Sequence, residues 1–395
     1  MNDHYIFTSD SVLAGHPDKL CDQISDAILD SVLIQDPGSR VMVESAFFGN
    51  VIFLSLRLAT SAGLDVADTA RRVVREAGYP AAELNADDLS VMISQMGVTS
   101  GRYQTVDVES LDDAELGLYP AGNQATLFGF ATRQTESLMP LPIMLAHRLS
   151  RRLEEVAING ELDYLVPDGK CQAAIAYEDR RPVRIHSLGL IGCQKDDRPV
   201  SAKRLRDDLI GAVLEPVMAE QVLKMDDKTQ LYLNPEGAFL GGGPKSHSGL
   251  TGRKTAGDTY GEYARHNASA LSGKDPLRIE RAGTYAARYV AKHVVAAGLA
   301  DDCEVQLTYT VALAEPISIQ VDTFNTGKIP DKEIEARIKQ HFDLRPAAIV
   351  RDLGLQHLVT GPDGYYRHLA AYGQMGREDL QAPWELLDKV EQLKD

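Results

Sequence analysis

From Pro17 to Ile34 the apolar residues Leu20, Ile24, Ala27, Ile28 and Val32 recur at intervals that line one face of a helix, and Pro17 suits its first turn. Asp36-Pro37-Gly38 then marks a turn. Residues 40–60 read as two strands joined at Gly49-Asn50, and 65–78 as a helix ending near Gly78. The spacing predicts further helices over 141–156, 202–222, 283–298 and 331–342, and strands over 172–177, 182–190, 304–314 and 316–323. Helical and strand signals alternate irregularly. That argues against a strict βαβ array and for an α+β fold, with helices on the faces of mixed or antiparallel sheets. No fixed-period repeat or low-complexity linker divides the chain, so domain boundaries are not legible from composition.

Composition narrows the picture. At 395 residues and 44% hydrophobic, the chain is long enough for two or three domains with a sizeable core. Lys and Arg total 41 against 57 Asp and Glu, and the net charge of −16 argues against nucleic acid or anionic lipid as partners, while leaving room for a local basic pocket. The chain has no apolar run of membrane-spanning length, and its start, MNDHYIFTSD, has neither the basic nor the apolar region of a signal peptide, so a cytoplasmic protein is expected. Cys21, Cys171, Cys193 and Cys303 are widely spaced without a metal-ligand pattern, which fits reduced thiols and not structural zinc.

Four segments carry candidate chemistry. Gly15-His16-Pro17-Asp18-Lys19 opens the first helix, where backbone N–H groups and the dipole favour an anion. His16 and Lys19 suit phosphate there, and Asp18 a Mg²⁺ that neutralises it; a capped helix with solvated charges is the plainer reading. Gly241-Gly242-Gly243-Pro244 runs through Ser248-Gly249-Leu250-Thr251-Gly252-Arg253-Lys254-Thr255 to Asp258. Arg253 stands where a Walker A loop needs glycine, yet glycines beside paired cations still admit a phosphate chain; a flexible loop fits equally well. Ser272-Gly273-Lys274-Asp275-Pro276, with Arg278, Glu280 and Arg281, is a dense charge cluster of the kind that commonly forms a solvated turn. Pro167-Asp168-Gly169-Lys170 is either a hairpin turn or a carboxylate and an ammonium presented together.

Their order is specific. GHPDK, AGNQATLFGFAT (121–132), PDGK, GLTGRK (249–254), SGKDP, AARYVAK (286–292), FDLRP (342–346), AAYG (370–373) and PWE (383–385) together make the chain resemble the S-adenosylmethionine synthetases (methionine adenosyltransferases) over essentially its whole length. The resemblance implies three similar α+β domains of mixed or antiparallel sheet with helices, built from interleaved segments: 13–106 with 243–282 (central), 1–12 with 135–242 (N-terminal), and 107–134 with 283–395 (C-terminal). It implies homodimers or tetramers with active sites between subunits. It also implies transfer of the adenosyl group of ATP to a methionine sulfur, with the triphosphate released and split to pyrophosphate and phosphate. His16, Lys170, Arg253, Lys254 and Lys274 match the family's basic catalytic residues around the triphosphate, Asp18 matches one Mg²⁺ ligand, Glu280 takes the place of a second Mg²⁺-binding aspartate with its charge kept, and Glu44 matches the K⁺ site. Asp168 and Phe239 match ATP-binding positions, and Arg278 replaces an ATP-side lysine of the family with its charge kept.

Departures gather at the acceptor side. Asn123 and His247 stand where the family has aspartates, Arg57 where it has a glutamate, and Thr99 where it has a glutamine. Exchanging three carboxylates for an amide, an imidazole and a guanidinium shifts the pocket by about four formal charges, and one charge contact at about 4 Å is of order 4 kcal/mol at an effective dielectric near 20. A methionine ammonium thus loses attraction, and a carboxylate gains a partner. The expectation is an S-adenosyltransferase acting on methionine or on a methionine-like thioether of less cationic character. A tripolyphosphatase relic and a degenerate ATP-binding regulatory subunit are the alternatives.

Overall fold

The first helix, α1 (Pro17–Leu33), forms as its apolar spacing requires: Leu20, Ile24, Ala27, Ile28 and Val32 are all buried, and the His16 ring caps it by accepting the Asp18 N–H at 3.2 Å. Residues 4–97 and 104–394 are described in this computed structural model. Before α1 runs β1 (His4–Val12); after it, β2 (Arg40–Phe48) and β3 (Val51–Ala59) form an antiparallel hairpin whose two-residue turn begins at Gly49, φ +58°. A helix, α2 (Val66–Glu76), then leads to β4 (Ser90–Gly97), parallel to β3.

The remaining strands are β5 (Ala125–Thr132), β6 (Leu165–Glu178), β7 (Arg181–Gln194), β8 (Gln230–Leu233), β9 (Phe239–Leu240), β10 (Gly249–Leu250), β11 (Asp302–Tyr309) and β12 (Ser318–Asp322). They make three mixed or antiparallel sheets: β1-β6-β7-β8 with β9 on β7, β10-β2-β3-β4, and β12-β11-β5. Each sheet is covered by one long helix, so the chain is α+β with one repeated plan. α1 packs on β2, α3 (Leu141–Ile158) on β6 and β1, and α4 (Ile279–Ala296) on β5 and β11. Every sheet draws strands from distant parts of the chain.

Several boundaries differ from the sequence reading. The strand expected over 304–314 stops at Tyr309, because Ala312 and Leu313 exchange backbone hydrogen bonds with Ala121 and Pro316 has no N–H for a ladder. The helix expected over 202–222 ends at Ala219 and passes through a π turn at Ile210–Leu214. The helix expected from 283 starts at Ile279: the charges that read as a solvated cluster are buried, Arg281 fully so. Pro167-Asp168-Gly169-Lys170 is not a hairpin turn; it lies inside β6, at a register shift between Leu165 and Gly169. All four cysteines are buried thiols.

Candidate active site

One face of α1 organises the site. Asp18, Asp22, Asp26 and Asp30 follow at four-residue intervals, all buried, and each accepts backbone N–H groups from a distant loop. Asp18 takes Leu250 (3.0 Å), Asp22 Gly252 (2.8 Å), Asp26 Gly273 (2.8 Å), and Asp30 both Tyr366 and Arg367 (2.9 Å each). The two glycine-bearing loops are thereby pinned to one helix. Their anchors at Asp18 and Asp26 stand about 12 Å apart along its axis.

Around Asp18 gathers a first group. Lys254 Nζ lies 3.1 Å from its Oδ2 and Arg253 Nη1 3.5 Å from its Oδ1. The rings of His16 and His247 are 4.8 Å apart, and His247 Nε2 is 3.2 Å from Asp168 Oδ2, which also accepts the Gly243 N–H at 2.7 Å. The strand bearing Asp168 reaches the helix start because residue 15 is glycine: a Cβ there would sit 2.0 Å from the Pro167 carbonyl oxygen. Lys170, two residues on in β6, is half-exposed and pairs with Asp10 at 2.8 Å. Phe239 opens β9 opposite Cys193, whose sulfur accepts the Gly242 N–H at 3.1 Å. Burial pulls the His16 imidazole down to about 4 against the opposing charges of Asp168 and Asp18, so at neutral pH it is uncharged. With Nδ1 accepting the cap bond, its Nε2 carries the proton.

A second group forms where Asp26 holds Gly273. Lys274 Nζ lies 3.7 Å from Glu280 Oε1, which accepts the Asn123 side-chain N–H at 2.7 Å; Glu280 Oε2 is buried without a partner. Burial opposes the Glu280 charge, yet Lys274 and Asn123 hold its carboxyl below the usual range, while burial lowers Lys274 itself. Arg278 pairs with Asp275 at 3.4 Å. Lys274 bridges to Met42 on β2, and Arg57 stands opposite Met42 on β3; Glu44, two residues along β2, shares that outward face and is exposed. Thr99 lies outside the described residues.

The sequence-derived residues thus fall into two groups. His16, Asp18, Asp168, Lys170, Phe239, His247, Arg253 and Lys254 belong to the first, and Glu44, Arg57, Asn123, Lys274, Arg278 and Glu280 to the second. The acceptor-side trio is divided, His247 from Arg57 and Asn123. Lys19, read beside His16 as phosphate-facing, instead turns inward to Asp22 (2.8 Å) and Asp258 (2.6 Å), because two buried carboxylates outweigh any exposed anion. Asp22, Asp26 and Asp258 were not legible as positioning residues, although the four-residue spacing of aspartates along α1 is a signal present in the sequence.

The sequence has known counterparts. Three family models match in succession: the S-adenosylmethionine synthetase N-terminal domain over residues 4–98, the central domain over 118–239 and the C-terminal domain over 241–386. The S-adenosylmethionine synthase of Thermosynechococcus vestitus is 46% identical over 406 residues, covering 99% of this chain and 97% of the relative. That of Trichormus variabilis is 45% identical over 409 residues, covering 100% and 97%. That of Synechococcus elongatus is 44% identical over 409 residues, covering 100% and 98%. With all three domain models and relatives of this identity along its full length, the chain belongs to the S-adenosylmethionine synthetase family.

Proposed function

We propose that the two residue groups are the two halves of an active site that makes an S-adenosyl sulfonium from ATP and a thioether. The reading rests on one observation: Arg253, Lys254 and the N-terminus of α1 converge on the buried carboxylate of Asp18. A thioether sulfur attacks C5′ of ATP in line, the C5′–O bond breaks, and the triphosphate leaves with added negative charge. Arg253, Lys254 and Lys170 supply fixed positive charge at that leaving group, and His16 Nε2–H donates to a phosphate oxygen. Sulfur attack needs no general base. Asp168 and Phe239 hold the nucleoside, and Lys274 and Arg278 bring cations from the second half.

The family generally needs metal ions, and the carboxylates suit them. Asp18 and Glu280 would hold Mg²⁺, the latter through its unpartnered Oε2, and Glu44 would hold K⁺. When bound, the divalent ion neutralises phosphate charge. The released triphosphate is hydrolysed to pyrophosphate and phosphate in the same cage. A tripolyphosphatase relic or a purely regulatory subunit is not favoured, since the relatives at 44–46% identity along the whole chain are S-adenosylmethionine synthases.

Because His247 sits with one group and Arg57 and Asn123 with the other, two copies of the chain together complete each acceptor pocket. The outward face of β2-β3-β4 supports self-association: Phe48, Val51, Phe53, Met92 and Met96 are 42–60% exposed there, flanked by Glu44 and Arg57. The assembly we propose is a homodimer, alone or paired into a tetramer, with three bodies each centred on one sheet: 13–106 with 243–282, 1–12 with 135–242, and 107–134 with 283–395. Among the described residues no helix is long and apolar enough to cross a membrane. We place the enzyme in the cytoplasm.

The acceptor is methionine, or a thioether that keeps a carboxylate but carries less positive charge. Incubation with ATP, Mg²⁺, K⁺ and a panel of thioethers, followed by mass spectrometry of sulfonium products, tests the reading. Nucleotide consumption with no sulfonium from any thioether would overturn it.

A further inference from the structure

His16, Asp168 and His247 each offer one ligand atom, and the three atoms lie within 4.8 Å of one another. We propose that these residues form a binding site for one divalent transition-metal ion, such as Zn²⁺ or Co²⁺, and that occupancy of this site excludes ATP. Two imidazoles and one carboxylate, with remaining positions open to water, are a donor set that imidazole-preferring ions accept and Mg²⁺ does not favour.

The geometry is near to hand. His247 Nε2 and Asp168 Oδ2 are already 3.2 Å apart, close to the roughly 3.4 Å separating two ligands of a tetrahedral ion with bonds near 2.1 Å. His247 lies on the loop after Gly241-Gly242-Gly243 and its side chain is 38% exposed, so an ion at Nε2 can be reached from solvent. Asp168 is fixed by the Gly243 N–H at 2.7 Å, the kind of outer contact that orients a ligating carboxylate. His16 closes the set from the α1 cap.

The exclusion follows from one proton. In this structure His16 Nδ1 accepts the Asp18 N–H, so Nε2 bears the hydrogen that we assign to a phosphate oxygen. An ion at Nε2 requires the other neutral tautomer: the ring proton moves to Nδ1, the cap bond is given up, and the Nε2 lone pair faces the metal. One nitrogen cannot donate to phosphate and ligate a metal at once, and Asp168 is likewise shared with the nucleoside. The exclusion therefore rests on the nucleotide assignment, whereas the metal site stands on its own.

Equilibrium dialysis of the full-length protein against Zn²⁺ in a large excess of Mg²⁺, with Co²⁺ as a visible-absorbance probe, tests this. One ion per chain is expected, with a ligand-field band for Co²⁺. His247→Gln and His16→Gln should each weaken binding about 100-fold. His247→Gln changes a partly exposed loop side chain, and its far-UV dichroism and thermal midpoint verify that it folds. No stoichiometric Zn²⁺ binding, Zn²⁺ displaced by Mg²⁺, or equal binding by both variants and the parent would overturn the site. ATP should raise the apparent Zn²⁺ dissociation constant at least tenfold. Binding lost in His247→Gln yet indifferent to ATP would uphold the metal site while counting against the nucleotide role of His16 and Asp168.

Discussion

Asp26 and Arg281, 255 residues apart in the chain, meet side by side with no exposure: Asp26 Oδ1 and Oδ2 each accept from the guanidinium at 2.9 Å. Through this pair α1 fixes the start of α4, and the same carboxylate holds Gly273 beside Lys274. Asp26→Ala would strand a buried guanidinium and a backbone N–H, and the expected loss is about 3–5 kcal/mol. Urea unfolding of the variant measures it. A loss below about 1 kcal/mol would show that the pair does not carry this junction.

Lys170→Ala and Arg253→Ala test the cage. Both side chains are more than 40% exposed, so folding should survive. Removing fixed charge where the leaving group gains it should lower turnover by about 10²–10³-fold. Near-parental kcat in either variant would remove that residue from the cage.

The metal assignment has its own test. Asp18→Asn and Glu280→Gln keep size and lose charge, so each should lower activity steeply, and chelator should abolish it in the parent. Asp18→Asn alone should retain the Leu250 N–H bond through its amide oxygen, which separates lost charge from a lost anchor. Full turnover in the presence of chelator would contradict the assignment.

How far these features were legible in the sequence depended on whether burial followed polarity. It does in the β2-β3 hairpin, where alternation and turn residues point to the structure; in α1 the apolar spacing alone marks the helix, although Asp18, Asp22, Asp26 and Asp30 are buried with it. It does not in β1, where Ser9 and Ser11 are 3% and 5% exposed and Ile6 is 52% exposed, so the strand escaped the pattern. The start of α4 was hidden for a related reason: Glu280 and Arg281 are charged but buried, their partners lying far off in sequence. Motif order brought out the cations around Asp18. It could not reveal that His247 and Asn123 stand in different groups, because that separation is fixed by where Asp18 and Asp26 hold two loops along one helix.

The apolar face of β2-β3-β4 bears on assembly. Phe53 and Met92 are opposite each other on parallel strands and exposed by 43% and 58%. A charge placed there by Phe53→Asp should leave the monomer folded, lower the mass seen by light scattering to one chain, and reduce turnover at least tenfold in the same sample. An unchanged mass with full activity would mean that copies associate elsewhere or that each site is complete in one chain.

The acceptor is the sharpest question. Arg57 is exposed on the same outward face as Glu44, and the acceptor pocket proposed above sets it with the His247 imidazole of a second copy. Each ion-pair partner a methionine ammonium lacks should cost about 1.5–3 kcal/mol of binding, whereas a carboxylate gains a bidentate contact from Arg57. A deaminated thioether carboxylate is therefore expected to exceed L-methionine in kcat/KM, and Arg57→Glu combined with His247→Asp to shift preference back toward methionine. Asn123 behaves differently from these two. Its amide donates to Glu280 Oε1 at 2.7 Å, so Asn123→Asp alone sets two carboxylates against each other and should lower turnover with every acceptor unless a cation sits between them. The ratio of kcat/KM for L-methionine and its deaminated analogue in the parent decides the matter: a wide margin for methionine would mean that its ammonium is held by other groups and that Arg57 serves the subunit interface instead.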